Sequence, residues 1–263
     1  MEIREIAAVI EEFAPLGAQA GFDNSGLIVG DPTQVVTSAM ICVDATEEVM
    51  HEAIGNNAGL VISHHPVIFD GLKRLNGATQ TQRVIETAIT FGIGLYACHT
   101  NLDAVPGGLS YRLAEMLGVG NPRLLSVLHP GNPDVGFGVV GELAQPMPTG
   151  QFLHLVAEEL NVTALRHSDI HVDKVQRVAI CSGSGSSLID AAVGAGADVY
   201  IAADFKYNNF LDVRGRTIIA DVGHFESEYC AIDVLYEVIR KKLPNFALRK
   251  SENSCNPVNY LRA

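Results

Sequence analysis

No Cys-x-x-Cys pair occurs in this sequence, and its five cysteines (Cys42, Cys98, Cys181, Cys230 and Cys255) are odd in number and widely scattered. That spacing argues against a disulfide framework and a thiolate zinc site, and it fits a reducing, cytoplasmic setting. Basic residues are also scarce: 18 Lys plus Arg face 30 Asp plus Glu, giving a formal charge of −12 with no basic stripe to offset it. Such a surface repels a phosphate backbone, so nucleic acid is not expected as a partner. Long apolar runs are missing as well. None approaches the ~20 residues of a membrane span, so no membrane partner is expected either. The start, M-E-I-R-E-I-A-A-V-I-E-E-F, is acidic and helically spaced, unlike a signal peptide.

What is present is a chain of 263 residues, 48% hydrophobic, in which short apolar runs alternate with longer segments of helical period. This is the pattern of an α/β protein whose parallel strands are linked by helices. Strands are expected near 38–43, 59–63, 93–98, 136–143, 175–181, 198–202, 217–222 and 245–249. Helices are expected near 3–13, 46–56, 79–91, 109–117, 149–160, 186–194 and 226–242. The stretch 119–150 is rich in Gly and Pro, which places a lobe boundary inside it. The expected organisation is two interlinked α/β lobes with mainly parallel strands, 1–125 and 126–263, both contributing to one site. A weak internal echo supports two related halves: M-I-C-V-D then A-G-L-V-I-S-H-H is matched by A-I-C-S-G then A-D-V-Y-I-A-A-D. Ile41 and Ile180, like Leu60 and Val199, are 139 positions apart. Any two β-α-β units share some of this likeness, so the echo alone does not establish duplication.

The chemistry concentrates where strands end. V-I-S-H-H-P closes an apolar run with His64 and His65, and Pro66 holds His65 extended and ends the ladder. Ligands bind at the carboxyl edges of open α/β sheets. Alternating side chains would send the two imidazoles to opposite faces unless the backbone bends, so each could serve a different metal ion. Metal binding also keeps both rings neutral, removing their mutual repulsion. A second strand end carries H-T-N-L-D, with His99 and Asp103. A third carries G-H-F-E-S-E, where His224 and Glu228 are four apart and share one helical face. The metal ligands read from these edges are His64, His65, Asp103, His224 and Glu228.

Five nitrogen and oxygen donors exceed what one tetrahedral ion needs, and two ions ~3.5–4 Å apart would use them economically, bridged by Glu228 or Asp103. Zinc, iron, manganese and cobalt all tolerate the set. S-G-S-G-S-S at 182–187 could cradle an anion, but it lacks the Lys of a Walker loop, and a tight strand-to-helix turn uses the same residues. No organic cofactor is expected.

H-H-P at 64–66, H-T-N-L-D at 99–103 and G-H-F-E-S-E at 223–228 resemble the signatures of the dinuclear-metal GTP cyclohydrolase 1 type 2 homologues. F-D-N-S-G-L-I-V-G at 22–30, V-A-I-C-S-G-S-G at 178–185 and G-A-D-V-Y-I-A-A-D-F-K-Y at 196–207 extend the resemblance over nearly the whole chain, in the family's order. Residue by residue, it implies the same five metal ligands, with His99, Lys206 and Tyr207 near the family's cavity. It also implies a two-lobed subunit in a ring-like homo-hexamer, with the metals facing an internal cavity, and without the domain that longer members insert between the lobes. Phe22 stands where tryptophan is usual, Ser182 where glycine is common, and Asn208 where many members have histidine.

Two functions remain open at this point. One is a metal-dependent hydrolase of a nucleotide or related small molecule, with His99 moving the proton. For GTP the resemblance implies attack of water on C8 of the guanine ring and release of formate. The other is a non-catalytic hexamer that stores or delivers metal, or acts as a scaffold.

Overall fold

The computed structural model describes residues 1–129 and 131–261. In chain order its strands are β1 (Gly26–Val29), β2 (Ser38–Cys42), β3 (Leu60–Ser63), β4 (Gly94–Ala97), β5 (Val119–His129), β6 (Asn132–Pro148), β7 (Arg166–His167), β8 (Lys174–Ser184), β9 (Val199–Ala203), β10 (Ile218–Asp221) and β11 (Ala247–Lys250). They form a five-stranded and a six-stranded sheet, the mixed α/β architecture expected from the alternation of apolar runs and helical periods. The chain divides into two compact units, Met1–Leu102 with Ala231–Cys255, and Asp103–Cys230 with Asn256–Ala263.

In the first unit the order is β1-β4-β3-β2-β11, parallel from β4 to β11, with β1 antiparallel at one edge. Strands β3 and β4 are buried along their whole length, as expected of parallel strands covered on both faces. Met40, Val61 and Leu95 pack on one side against Val49, Met50 and Ala53 of helix Glu47–Gly55 and Val84 and Ala88 of helix Gln80–Phe91. The other side meets helix Ile3–Phe13, whose Glu5 carboxylate accepts from the Glu2 N–H at 2.6 Å and so closes the first turn. Its Ile3, Ile6 and Ile10 are buried at helical spacing, each contributing roughly 1.5–3 kcal/mol relative to an exposed position. Ile3 reaches so close to β4 that a Cβ on Gly94 would lie 2.7 Å from its Cδ1.

In the second unit the order is β5-β6-β8-β9-β10-β7, with β8, β9 and β10 parallel. Within the Gly/Pro-rich stretch 119–150, Val119–His129 and Asn132–Pro148 are the long antiparallel pair β5 and β6, so residue 125 lies within a strand. Its glycines serve close approach rather than a linker: a Cβ on Gly136 would lie 2.0 Å from the Ser126 carbonyl oxygen, and one on Gly141 2.5 Å from that of Gly120.

The internal echo extends to register. Ala39 pairs with Leu60, Met40 with Val61 and Ile41 with Ile62. Adding 139 to each position yields the pairs Val178 with Val199, Ala179 with Tyr200 and Ile180 with Ile201. Two arbitrary β-α-β units need not share register, so the match supports duplication.

Short elements escaped the sequence reading. They include β1, held between Gly26 and Gly30, both with positive φ, the two-residue β7, and helices Thr100–Ala104 and Tyr207–Asp212. The helix expected over 226–242 is two helices, His224–Glu228 and Ala231–Lys242. Among the described residues no helix is long and apolar enough to cross a membrane.

Candidate metal centre

In the first unit, the backbone N–H groups of His64 and His65 still donate to Cys42 and Val43. The ladder therefore runs two residues past β3 and stops at Pro66, which has no N–H to give. The imidazoles do not diverge to opposite faces. Ser63 Oγ donates to the His65 carbonyl at 2.7 Å, a local bend, and the two rings lie 5.0 Å apart and tilted by 43°. They are instead anchored to opposite neighbours of β3. His64 Nδ1 lies 2.8 Å from the Cys98 carbonyl beyond β4, and His65 Nδ1 lies 2.8 Å from Asp44 Oδ1 beyond β2.

His99, just past β4, completes the group, with its ring 5.3 Å from His64 and 5.4 Å from His65, edge-on to both. One ligand atom from each of these three histidines lies within 4.8 Å of the others. His99 Nδ1 is 2.7 Å from Asp23 Oδ1, and Asp23 also accepts from the Thr100 N–H and hydroxyl and from Ser25 Oγ. Burial alone would raise the Asp23 pKa, but the bonds from His99 and Thr100 outweigh it and hold the carboxyl well below the usual range.

The second unit presents the other acidic and imidazole donors. His224 and Glu228 occupy helix His224–Glu228, which opens at Gly223 directly after β10. His224 Nε2 is 3.0 Å from Glu228 Oε2, and its Nδ1 is 2.7 Å from Asp204 Oδ2. With no ion bound, the hydrogen bond to Glu228 raises the His224 pKa, against burial and with help from Asp204, to about 9. Asp204 adopts a left-handed backbone, φ +60°, which non-glycine residues rarely take and which recurs at functional sites. Asp103, on helix Thr100–Ala104, is buried and accepts from Ser182 Oγ at 2.9 Å.

His224 has a carboxylate against each ring nitrogen; in His64, His65 and His99 the carboxylate or carbonyl against Nδ1 can only accept, so the neutral ring carries its proton there and presents Nε2 as the basic nitrogen. That is the tautomer a metal-ligating imidazole needs. The partners Asp23, Asp44 and Asp204 were missed in the sequence reading; each lies within or closes a motif already quoted (F-D-N-S-G, I-C-V-D, I-A-A-D), and that membership was the available signal.

Three N–H groups of S-G-S-G-S-S are engaged internally rather than offered to an anion: Ser182 donates to Ser110 Oγ, Gly183 to Ser227 Oγ and Gly185 to the Ala203 carbonyl. Its glycines admit close neighbours instead. Gly183 has φ +60°, and a Cβ there would lie 2.1 Å from Glu228 Oε1. Gly183→Ala is therefore expected to displace the Glu228 carboxylate and weaken divalent-metal binding at least ~10-fold, as loss of a ligand's support does. Isothermal titration with zinc would measure this, and unchanged affinity would contradict it. Lys206 caps helix Tyr207–Asp212, and Tyr207 is exposed.

The family model Duf34/NIF3 (NGG1p interacting factor 3) matches residues 1–257. A Clostridium perfringens protein named GTP cyclohydrolase 1 type 2 homolog is 34% identical over 244 residues, 92% of this chain and 93% of the relative. A Campylobacter jejuni protein of the same name is 32% identical over 99% of this chain and all of the relative. The crystal structure of a Bacillus cereus protein related to NIF3 superposes with a TM-score of 0.92 at 24% identity over 99% of both chains, a likeness of fold. A match over nearly the whole length, to a family model and to relatives above 30% identity, places this chain in the Duf34/NIF3 (NGG1p interacting factor 3) family.

Proposed function

We propose that the protein is a metal-dependent hydrolase of a nucleotide or related small molecule, using about two divalent ions per chain held by His64, His65, Asp103, His224 and Glu228. The observation that carries this reading is the uniform anchoring of four imidazoles through Nδ1. It orients basic nitrogens at strand ends and matches the chemistry of nitrogen and oxygen ligands for zinc, iron, manganese or cobalt. Buried Asp103 and Glu228 add negative charge that balances a divalent ion. Lewis acidity to activate water and polarise the electrophile is what bound ions supply.

The remaining roles fall to the chain itself. His99 receives and returns the proton, with Asp23 fixing its tautomer so that Nε2 is the basic nitrogen. Asp44 and Asp204 hold His65 and His224 in place. The substrate reading, ring opening of GTP at C8 with release of formate, rests on the name that the relatives bear. In the same reading the working form is a cytoplasmic homo-hexamer.

The test is formate release from GTP by metal-replete protein. Elemental analysis should give about two ions per chain, and formate should appear with GTP and be lost in Asp103→Ala. Metal bound at that ratio with no product from GTP or a nucleotide panel would replace the hydrolase by a protein that stores or delivers metal.

A further inference from the structure

Two phenylalanines stand exposed beside the histidine group of the first unit. Phe22 is 69% and Phe69 50% accessible. Their ring centroids are 6.1 Å apart with the planes tilted by 42°, and Phe69 meets His99 edge-on at 6.1 Å. Exposed aromatic rings in contact with one another are uncommon on a surface without a binding role.

These rings are not exposed because their loops are loose. Phe22 precedes Asp23, whose carboxylate is tied to His99, Thr100 and Ser25. Phe69 follows Ile68, whose carbonyl accepts from Asn24 Nδ2 at 2.8 Å. Both loops are thus fastened to each other and to the residues around His99, and the bonds that orient His99 also position Phe22. The two faces form an open, tilted shelf whose inner end is an imidazole.

We infer that Phe22 and Phe69 form a stacking shelf that receives the planar heteroaromatic ring of a small-molecule ligand and delivers its edge to His99. A flat ring can stack offset on one phenyl face while packing obliquely against the other, since the two planes are tilted by 42°. The inference rests on the hydrolase reading for its consequence, since it names a ring-bearing substrate class, but binding to the shelf needs no metal and no turnover.

The chain contains no tryptophan, so Phe22→Trp introduces a single tryptophan at the shelf, excited selectively at wavelengths where the tyrosines do not absorb. The full-length Phe22→Trp protein, metal-loaded and chelator-treated, is titrated with guanosine, adenosine and ribose 5-phosphate. Saturable quenching is expected with both nucleosides and not with ribose 5-phosphate, in both metal states. Adding Phe69→Ala should weaken nucleoside binding at least about fivefold, the low end of base stacking on an aromatic side chain. No saturable quenching, an equal response to ribose 5-phosphate, or undiminished binding after Phe69→Ala overturns the inference. A change of oligomeric mass on Phe69→Ala with nucleoside affinity unaltered also overturns it, by assigning the rings to contact with a second copy. Quenching without GTP turnover retains the shelf and removes the hydrolase; turnover without quenching does the reverse.

Discussion

Replacing Glu228 by Gln is expected to lower bound divalent metal from about two ions per chain to fewer than one, with affinity reduced more than ~100-fold. Supporting residues around metal ligands cost ~10–100-fold when removed, and Glu228 is proposed as a ligand itself. Its carboxylate is buried and faces His224 Nε2 at 3.0 Å. Gly183 makes room for it, since a Cβ at that position would overlap Glu228 Oε1. An amide of the same size keeps the packing but loses the charge that balances a cation, and it offers an NH2 where the carboxylate has an oxygen. The secondary structure seen by circular dichroism should therefore be retained while metal is lost. Retention of about two ions per chain by Glu228→Gln under metal-replete conditions would remove this residue from the centre.

The second large effect is on stability. Asp23→Ala is expected to destabilise the protein by roughly 3 kcal/mol, because the Asp23 side chain is buried and its loss strands several donors at once. His99 Nδ1, the Thr100 N–H and hydroxyl, and Ser25 Oγ all lose their acceptor. For a chain of this size the melting temperature should fall by roughly 6–12 °C. The pH dependence follows from the depressed folded-state pKa of Asp23. Such a carboxylate contributes its full stabilisation above its unfolded pKa of ~3.9 and loses it only as pH falls through the lower folded value. The gap between wild type and Asp23→Ala should thus be widest near neutrality and narrow in strong acid. Calorimetry at both pH values measures it, and a gap that widens on acidification would contradict the assignment. Asp23→Asn should show a smaller loss, since the amide oxygen still accepts from Thr100 but its NH2 cannot accept from His99 Nδ1–H.

The architecture was legible because its signals are local. Apolar runs such as L-V-I-S and G-L-Y-A became β3 and β4 within a residue or two of their expected bounds, and the isoleucine stripe of M-E-I-R-E-I-A-A-V-I marked helix Ile3–Phe13. Illegibility began where glycine had two meanings. In β5 and β6 the same Gly and Pro density that suggests a lobe boundary instead permits two strands to cross closely, as Gly136 against Ser126 shows. Likewise, S-G-S-G-S-S reads equally as an anion loop or a tight turn until the partners of its N–H groups are known. Those of Ser182, Gly183 and Gly185 prove to be Ser110, Ser227 and Ala203.

By itself the sequence determined which residues stand at strand ends and what donor chemistry they carry: His64 and His65 before Pro66, His99 after G-L-Y-A-C, and His224 with Glu228 one helical turn apart. Periodicity and residue type suffice for that, since both are properties of neighbouring positions. Only the tertiary structure decided what orients those donors. Asp44 reaches His65 across 21 positions, Asp204 reaches His224 across 20, and Asp23 reaches His99 across 76. Strand order and register choose these partners, bringing together loops whose separation along the chain encodes nothing about their contact. The same holds for Phe22 and Phe69, which are 47 positions apart in the sequence and become a pair of exposed faces only when their two loops are fastened beside His99.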